Sequence, residues 1–435
     1  MYGVSLFSGA GIGDAGWRAS GVEMLALCEI EHDRAGLAAR NFPDARLFAS
    51  DIHQVREALV ASVRERLQEV NDELFLVSCT APCQGMSKNG QGTLLRNARE
   101  GRRPALDPRN RLILPALDVI RALRPHWAVF ENVPEMRNTL IEDETGEMRP
   151  ILDVVSRALT PEYVGAAYVV EFADYGVPQR RQRLITVYTR DEEAKMRFRA
   201  GLPLVPPPSH AQKPGAAHQP WLSVSEALRD FPTLDAADAA GARSPFSPFH
   251  RVPVLDAKKY EWVRHTPLGS SAFDNQCINP SCLFGGNAAH GSGRGADGIN
   301  RALKTTPLHC QSCGTLLPRP SVADAGGGLR IMSGFTSAYK RMAGDLPAPT
   351  LTRNLSYPCS DQKIHPTQNR VLSLAEAMRL QTISEYPYEW ERLDAKTGKT
   401  RPASDGLIRL VIGESVPPKF TEALGRHLIG LSAAG

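Results

Sequence analysis

An α/β fold, a parallel doubly wound sheet interrupted by an irregular insert and completed by the C-terminal segment, is predicted by three observations. First, short apolar runs alternate with amphipathic helical segments through the N-terminal half. Second, Glu29, Asp51, Cys83 and Glu131 all follow strand-like runs. In open parallel sheets, ligands gather at such carboxyl ends. Third, the composition changes after residue 200: Pro203, Pro206, Pro207, Pro208 and Pro214 crowd one stretch, and periodicity is then weak until helical patterns return near the C-terminus.

In chain order, Gly3 to Phe7 reads as a strand and Asp14 to Ser20 as a helix. Met24 to Glu29 is a second strand, His32 to Asn41 a helix, and Leu47 to Ser50 a short strand ending at Asp51. Val55 to Val70 carries Val55, Leu59, Val63 and Leu67 on one helical face. Leu74 to Ser78 is the next strand, Arg111 to Leu123 a helix and Trp127 to Glu131 a strand. Tyr168 to Phe172 and Leu184 to Tyr188 continue the sheet, and Gly201 to Pro220 reads as a linker. Leu372 to Gln381 and Lys419 to Leu431 are helical. The predicted division is a sheet domain over 1–200, an insert over 201–345 and a completing segment over 346–435.

A chain of 435 residues exceeds one ordinary core. A net charge of +4 permits nucleic-acid binding without requiring it, so local charge must decide. No N-terminal stretch reads as a signal peptide, and no apolar run approaches the ~20 residues of a membrane helix. Eight cysteines in this length point to reduced thiols and a cytoplasmic setting rather than a disulfide scaffold.

Ala81-Pro82-Cys83-Gln84-Gly85-Met86-Ser87 places one cysteine between a strand end and a glycine- and arginine-rich segment. That position suits a nucleophile meeting a polyanion, although a lone cysteine is more often structural. From Lys88 to Arg111 lie Lys88, Arg96, Arg99, Arg102, Arg103, Arg109 and Arg111, against only Glu100 and Asp107. Such a segment reads as a cationic lid over a phosphate backbone. Phe7-Ser8-Gly9-Ala10-Gly11 turns from strand to helix, with glycines that admit close approach of a ligand. It matches neither the dinucleotide fingerprint nor a P-loop. Glu29 and Asp51 at successive strand ends favour an adenosine-containing cofactor, with helix capping as the alternative. Glu131 opposite the thiol can serve as an acid. Arg181 and Arg183 alternate along a strand, so both are expected on one side of the sheet.

With these blocks in order, the chain resembles the C5-cytosine DNA methyltransferases over nearly its whole length. The resemblance runs through Leu6 to Gly11, Glu29, Asp51, Pro82-Cys83-Gln84, Glu131-Asn132-Val133 and Gln179 to Arg183. It continues through Arg370 to Ser373 and Arg379 to Gln381 to Gly413-Glu414-Ser415-Val416-Pro417-Pro418. It implies S-adenosylmethionine as cofactor in a Rossmann-like methyltransferase sheet, with the insert as target-recognition domain. Phe7 would stack on the adenine, Glu29 would hold the ribose hydroxyls and Asp51 the adenine amine. Ser8, Gly9, Ala10, Gly11, Ile30, Ile52, Pro82 and Ser415 would complete the cofactor site. Cys83 would be the nucleophile, with Glu131, Arg181 and Arg183 holding a flipped-out cytosine of duplex DNA. Gln84, Ser87, Lys88, Arg109 and Thr352 would lie near the DNA. Ser5 stands where many members carry Asp, and Glu414 where Asn is usual. The family context implies a prokaryotic modification enzyme acting as a monomer on DNA, beside a cognate nuclease or other defence component. An RNA cytosine methyltransferase and a non-catalytic DNA-binding module are the rival readings.

A separate signal lies in the insert. Cys277 and Cys282 have four residues between them, and Cys310 and Cys313 have two, followed by Gly314. Two short-spaced pairs read as a tetrahedral, structural zinc site. Unlinked thiols, or a partial site with His290 or His309, are the alternatives. Cys28, Cys79 and Cys359 read as packing residues.

Overall fold

The computed structural model describes residues 1–82, 86, 107–295, 300–303, 305–332, 338–360, 362–394 and 397–433. Its N-terminal half follows the predicted alternation: β1 (Tyr2–Leu6), α1 (Ile12–Ala19), β2 (Glu23–Cys28), α2 (His32–Asn41), β3 (Arg46–Phe48), α3 (Ile52–Val70) and β4 (Leu74–Cys79). Then come α4 (Ile113–Leu123), β5 (Trp127–Asn132), a hairpin of β6 (Leu140–Glu142) and β7 (Met148–Pro150), and α5 (Ile151–Leu159). β8 (Val164–Glu171), β9 (Gln179–Arg180), β10 (Gln182–Thr189) and α6 (Glu192–Arg199) follow.

Seven strands make one sheet in the order β3-β2-β1-β4-β5-β10-β8. β1 to β5 pair in parallel. β4 is buried along its whole length, as a strand covered on both faces must be. The strand order reverses between β1 and β4, which opens a crevice at their carboxyl ends. β10, by contrast, runs antiparallel to both β5 and β8, which corrects the expectation of a wholly parallel sheet. The connection from Phe172 to Arg181 is too short for the crossover a parallel neighbour needs, about a dozen residues or more.

Both faces are covered. On one, α3, α4 and α5 bury Leu59, Val63, Leu117, Ile120, Val154 and Val155 against the strands. On the other lie α1 and the C-terminal α11 (Pro418–Ser432), which packs Phe420, Leu424 and Leu428 against Trp127 and Val187. A Cβ on Gly16 of α1 would overlap Pro418 O and Thr421 Oγ1, so the two helices meet backbone to backbone. Among the described residues the C-terminal segment therefore adds a covering helix and no strand to the seven-stranded sheet, while its Ala348–Pro349 pairs with β9. The stretch read as a linker is packed: Leu204 and Val205 are buried, and Pro206 O accepts the Tyr175 hydroxyl at 3.0 Å. Prolines without N–H donors let it lie flat along the sheet domain as a strap.

Beyond the Leu204–Val205 strap, the insert shares two clusters with the C-terminal segment. Val224 and Leu228 of α7 (Val224–Leu228) pack with α9 (Leu374–Leu380) and α10 (Asp405–Glu414). Trp262 of α8 (Ala257–Arg264), Phe273 and Tyr339 form a separate core that takes in Ile364 and Val371. Arg341 is buried between the two stretches of chain and donates to the carbonyls of Val263, Thr266, His365 and Gln368.

Candidate active site and a cysteine cluster

The turn after β1 is built on left-handed backbone. Phe7 has φ 59°, Gly9 55° and Gly11 75°. A Cβ on Gly11 would sit 2.7 Å from the Phe42 ring, so only glycine fits there. Phe7 is held by the Thr80 hydroxyl, which donates to its carbonyl at 2.8 Å, binding the turn to the end of β4. The buried Glu29 carboxylate accepts the Gly9 N–H at 2.9 Å and the Glu31 N–H at 2.8 Å. Burial pushes this carboxyl above the usual range, while the two N–H groups and Arg34 oppose the rise. Ile30 is 56% exposed beside it.

Asp51 ends the neighbouring strand, and its Oδ1 accepts the His53 N–H at 2.9 Å as cap of α3, with Ile52 buried behind it. The cap that was the alternative reading of Asp51 is thus present. The buried Ser8 hydroxyl has no partner among the described residues. Buried polar atoms rarely stay unpaired, and each Glu29 oxygen keeps lone-pair capacity beyond one N–H. These donors and acceptors fit a nucleoside with free hydroxyls.

Cys83, Gln84, Ser87 and Lys88, with the basic run to Arg103, lie outside the described residues. Pro82 is partly buried next to them, and Asn132 Nδ2 donates to Ala81 O at 3.1 Å, so the ends of β4 and β5 are joined. Glu131 on β5 pairs with Arg183 on β10 at 2.9 Å, with side chains 14% and 15% exposed. Arg181 falls in the break between β9 and β10, not in alternation with Arg183 along one strand. It is buried, and its Nη1 and Nη2 donate to Leu351 O at 3.0 Å and Gly413 O at 3.1 Å. It thus joins the segment carrying Thr352 to the segment carrying Ser415. Gln381 Nε2 donates to Ser415 O at 2.8 Å, and the Gln179 amide bridges Leu351 N and Gln381. Thr352 is partly exposed, and Arg109 forks onto Asp107.

Sequence reasoning missed Arg34. Its Nη2 lies 2.9 Å from Glu414 Oε2 and its Nη1 4.0 Å from Glu29 Oε1. The available signal was a basic residue one helical turn past an acidic strand end. Asp14 was missed as well: it is buried against the Ser5 hydroxyl, and burial raises its carboxyl to about 7.

In the insert, Cys277, Cys282, Cys310 and Cys313 bring four sulfurs within 4.8 Å of one another. Cys277 and Cys313 sulfurs are 3.7 Å apart, and those of Cys282 and Cys310 3.9 Å. Four sulfurs about 2.3 Å from a tetrahedral zinc would be about 3.8 Å apart, whereas a disulfide would close to ~2.05 Å. Asn287 and Asn279 side-chain amides approach Cys310 and Cys313 at 3.8 Å. His290 is bonded to Asp274 instead, at 2.7 Å. Burial pushes the Cys28 and Cys79 thiols up to about 12, as expected of inert packing residues. Cys359 is exposed, against the expectation that it packs, because it follows a turn at Tyr357-Pro358 rather than a strand.

A family model for C-5 cytosine-specific DNA methylases matches residues 1–244. Type II methyltransferase M1.HgaI of Avibacterium volantium is 26% identical over 437 residues, covering 98% of each chain. Type II methyltransferase M.XorII of Xanthomonas oryzae pv. oryzae is 25% identical over 437 residues, covering 98% of this chain and 84% of that one. Among solved structures, a mutant DNMT2 of Spodoptera frugiperda aligns at a TM-score of 0.51 and 12% identity, over 98% of this chain and 99% of that one. At that identity the likeness speaks for the fold.

Proposed function

The chain belongs to the C-5 cytosine-specific DNA methylases, and on that premise we propose that it methylates a flipped-out cytosine of duplex DNA through a covalent bond to Cys83. It is a DNA (cytosine-5)-methyltransferase, and its relatives are type II modification enzymes. The observation that carries the finer reading is the Glu131–Arg183 pair beside the crevice, joined through Asn132 to the chain that leads into Cys83.

Cytosine C5 is a poor nucleophile within the intact ring. The Cys83 thiolate attacks C6, an S–C6 bond forms, and the electron pair moves to make C5 an enamine carbon. Glu131 shares a proton with N3 and Arg183 faces the carbonyl oxygen, so both meet the negative charge that builds on the ring. S-adenosylmethionine supplies an electrophilic methyl group to C5 when bound. Loss of the C5 proton then returns electrons to the ring and expels the thiolate, restoring aromaticity and the free Cys83. Because the reacting carbons are stacked inside the duplex, the base must rotate out, as the methyltransferases as a class require.

Phe7 to Gly11, Glu29, Ile30, Asp51, Ile52, Pro82 and Ser415 hold the cofactor in this reading. Arg181 acts as a brace between Thr352 and the cofactor segment. Gln84, Ser87, Lys88, Arg109 and Thr352 meet the DNA. Residues 1–200 and 346–435 form the catalytic unit, 201–345 read the target, and a nuclease of matching specificity is the expected partner. The four-cysteine cluster holds a structural zinc ion, since four thiolates leave no open position for substrate.

A 5-fluorocytosine duplex tests the mechanism, because fluorine at C5 blocks the elimination and should leave the DNA attached to the peptide carrying Cys83. Cys83→Ser should abolish transfer while DNA and S-adenosylhomocysteine still bind. Full turnover without any adduct would exclude the covalent route.

A further inference from the structure

The loop from Arg243 to Arg251 in the insert brings two arginines face to face. They form an isolated antiparallel bridge, and the flanking bonds run from the Ser244 N–H to His250 O and from the Val252 N–H to Ala242 O. Arg243 and Arg251 are therefore a non-hydrogen-bonded pair, the kind that sets side chains closest, and like charges so placed repel. A second facing pair of arginines lies on the hairpin of Glu391–Leu393 and Thr400–Pro402. There Arg392 and Arg401 each have a carboxylate, Asp33 at 2.6 Å and Asp394 at 3.7 Å. Arg243 and Arg251 have one between them. Asp405 takes Arg251 at 2.6 Å, and the Arg243 guanidinium has no partner among the described residues.

A cleft of about 350 Å³ lies at this pair, lined by Arg243, Ser244, Ser247, Pro248, His250 and Arg251. Its hydroxyls are fixed by two successive triplets, Ser244-Pro245-Phe246 and Ser247-Pro248-Phe249. Proline has no N–H, so each serine oxygen accepts from the phenylalanine two residues on, both at 3.2 Å. Neither hydroxyl proton has an acceptor among the described residues. His250 closes the floor: it is buried, and its ring nitrogens engage Ser373 Oγ at 2.9 Å and Pro232 O at 2.8 Å. Two guanidiniums and two unspent hydroxyl donors thus line one cleft, with no acidic side chain among the described residues that line it.

We propose that this cleft is a phosphate site, holding the oxyanion through the guanidiniums of Arg243 and Arg251 and the hydroxyls of Ser244 and Ser247. A tetrahedral oxyanion accepts at several oxygens at once, and arginine forks with short hydroxyl donors satisfy them through charge-assisted bonds. Its charge also offsets the repulsion within the arginine pair, which no carboxylate does for Arg243. The site stands apart from the cofactor cleft. It meets α10 at Asp405, the first residue of that helix, whereas Arg181 holds the helix at Gly413, roughly 12 Å further along the axis. Two sources share this chemistry, a phosphodiester of bound DNA and a free phosphate. The DNA source rests on the methyltransferase reading of the chain; the free one does not.

The test uses the full chain, Arg243→Gln, and a double variant, Ser244→Ala with Ser247→Ala, that leaves every charge in place. Inorganic phosphate, set against chloride at equal ionic strength, should raise the melting temperature of the unaltered chain, and both variants should lose most of that rise. Arg243 is exposed and unpartnered, so its exchange leaves the fold intact, and melting in chloride alone checks each variant. Duplex binding by fluorescence anisotropy, from about 50 to 200 mM salt, separates the sources. A slope of log affinity against log salt smaller by about one in Arg243→Gln assigns the site to DNA. An unchanged slope beside a lost phosphate effect assigns it to a free phosphate. An equal response to phosphate in all three proteins overturns the site. So does a loss in only one variant, because the site needs the charge and the hydroxyls together.

Discussion

Glu131 and Arg183 sit 2.9 Å apart and mostly out of water, so neither charge is held without the other. Exchanging one for a neutral group leaves its partner uncompensated and, in the proposed mechanism, removes a contact to the ring at the moment charge builds there. Glu131→Gln is expected to lower kcat by about 10²–10⁴-fold with S-adenosylhomocysteine affinity unchanged, read by single-turnover kinetics and calorimetry. Arg181 differs, because its guanidinium is committed to two backbone carbonyls. Arg181→Met should cost about 2–4 kcal/mol of stability in a urea titration, from two charge-assisted bonds lost in the interior. Asp14 sets a pH dependence. Its carboxyl rises from 3.8 to about 7 on folding, through burial, with the Ser5 hydroxyl and Arg18 opposing. The folded chain therefore holds a proton that the unfolded chain releases between these values, and stability falls as pH rises from about 4 to 7. Asp14→Asn should raise the melting temperature at pH 8 and lose that advantage below pH 4. An equal effect at both pH values would refute this.

Helices α1 and α11 come from opposite ends of the chain and pack so closely at Gly16 that a Cβ there would overlap the Pro418 carbonyl and Thr421 hydroxyl oxygens. Gly16→Ala would need the helices to part, since Pro418 O is backbone and cannot swing aside even where the Thr421 hydroxyl could. It should cost roughly 1–3 kcal/mol, seen as a lower urea midpoint with an unchanged m value. Gly413 is held in the same way, because a Cβ there would overlap the Arg353 N–H and the Thr352 carbonyl carbon. Strands were legible because β4 and β5 open on apolar runs, Leu74 to Val77 and Trp127 to Phe130, as burial on both faces demands. The direction of β10 was not, because its hydrophobic pattern is the same whichever way it runs. Connection length alone decides it. The strap from Leu204 also escaped notice, since prolines signal a missing donor and say nothing about burial.

The insert depends on few apolar groups at its far end, where Cys277, Cys310 and Leu317 with Cys282 make the whole cluster. In the zinc reading proposed above, the metal supplies the cohesion a hydrophobic core would otherwise give. Metal analysis should find about one zinc per chain. Chelation should raise hydrogen exchange near Cys277 to Leu317 while the sheet domain keeps its protection. A metal-free preparation with an unchanged exchange pattern would remove the zinc. Away from this end, the insert is tied in by the bonds of the buried Arg341 to the carbonyls of Val263, Thr266, His365 and Gln368. Sequence gives no warning of these, because an arginine reads as a surface residue until its partners are known.

The order of blocks along the chain was enough to give the α/β class, Glu29 and Glu131 near strand ends and the four paired cysteines, while the kind of reaction came with the family resemblance. Each follows from local spacing, which persists whatever the distant chain does. Folding over long range settled the rest: Arg181 braces Thr352 to Ser415, Arg34 answers Glu414, and α11 closes the sheet against α1. Those contacts join residues hundreds of positions apart, and a one-dimensional pattern carries no measure of that distance.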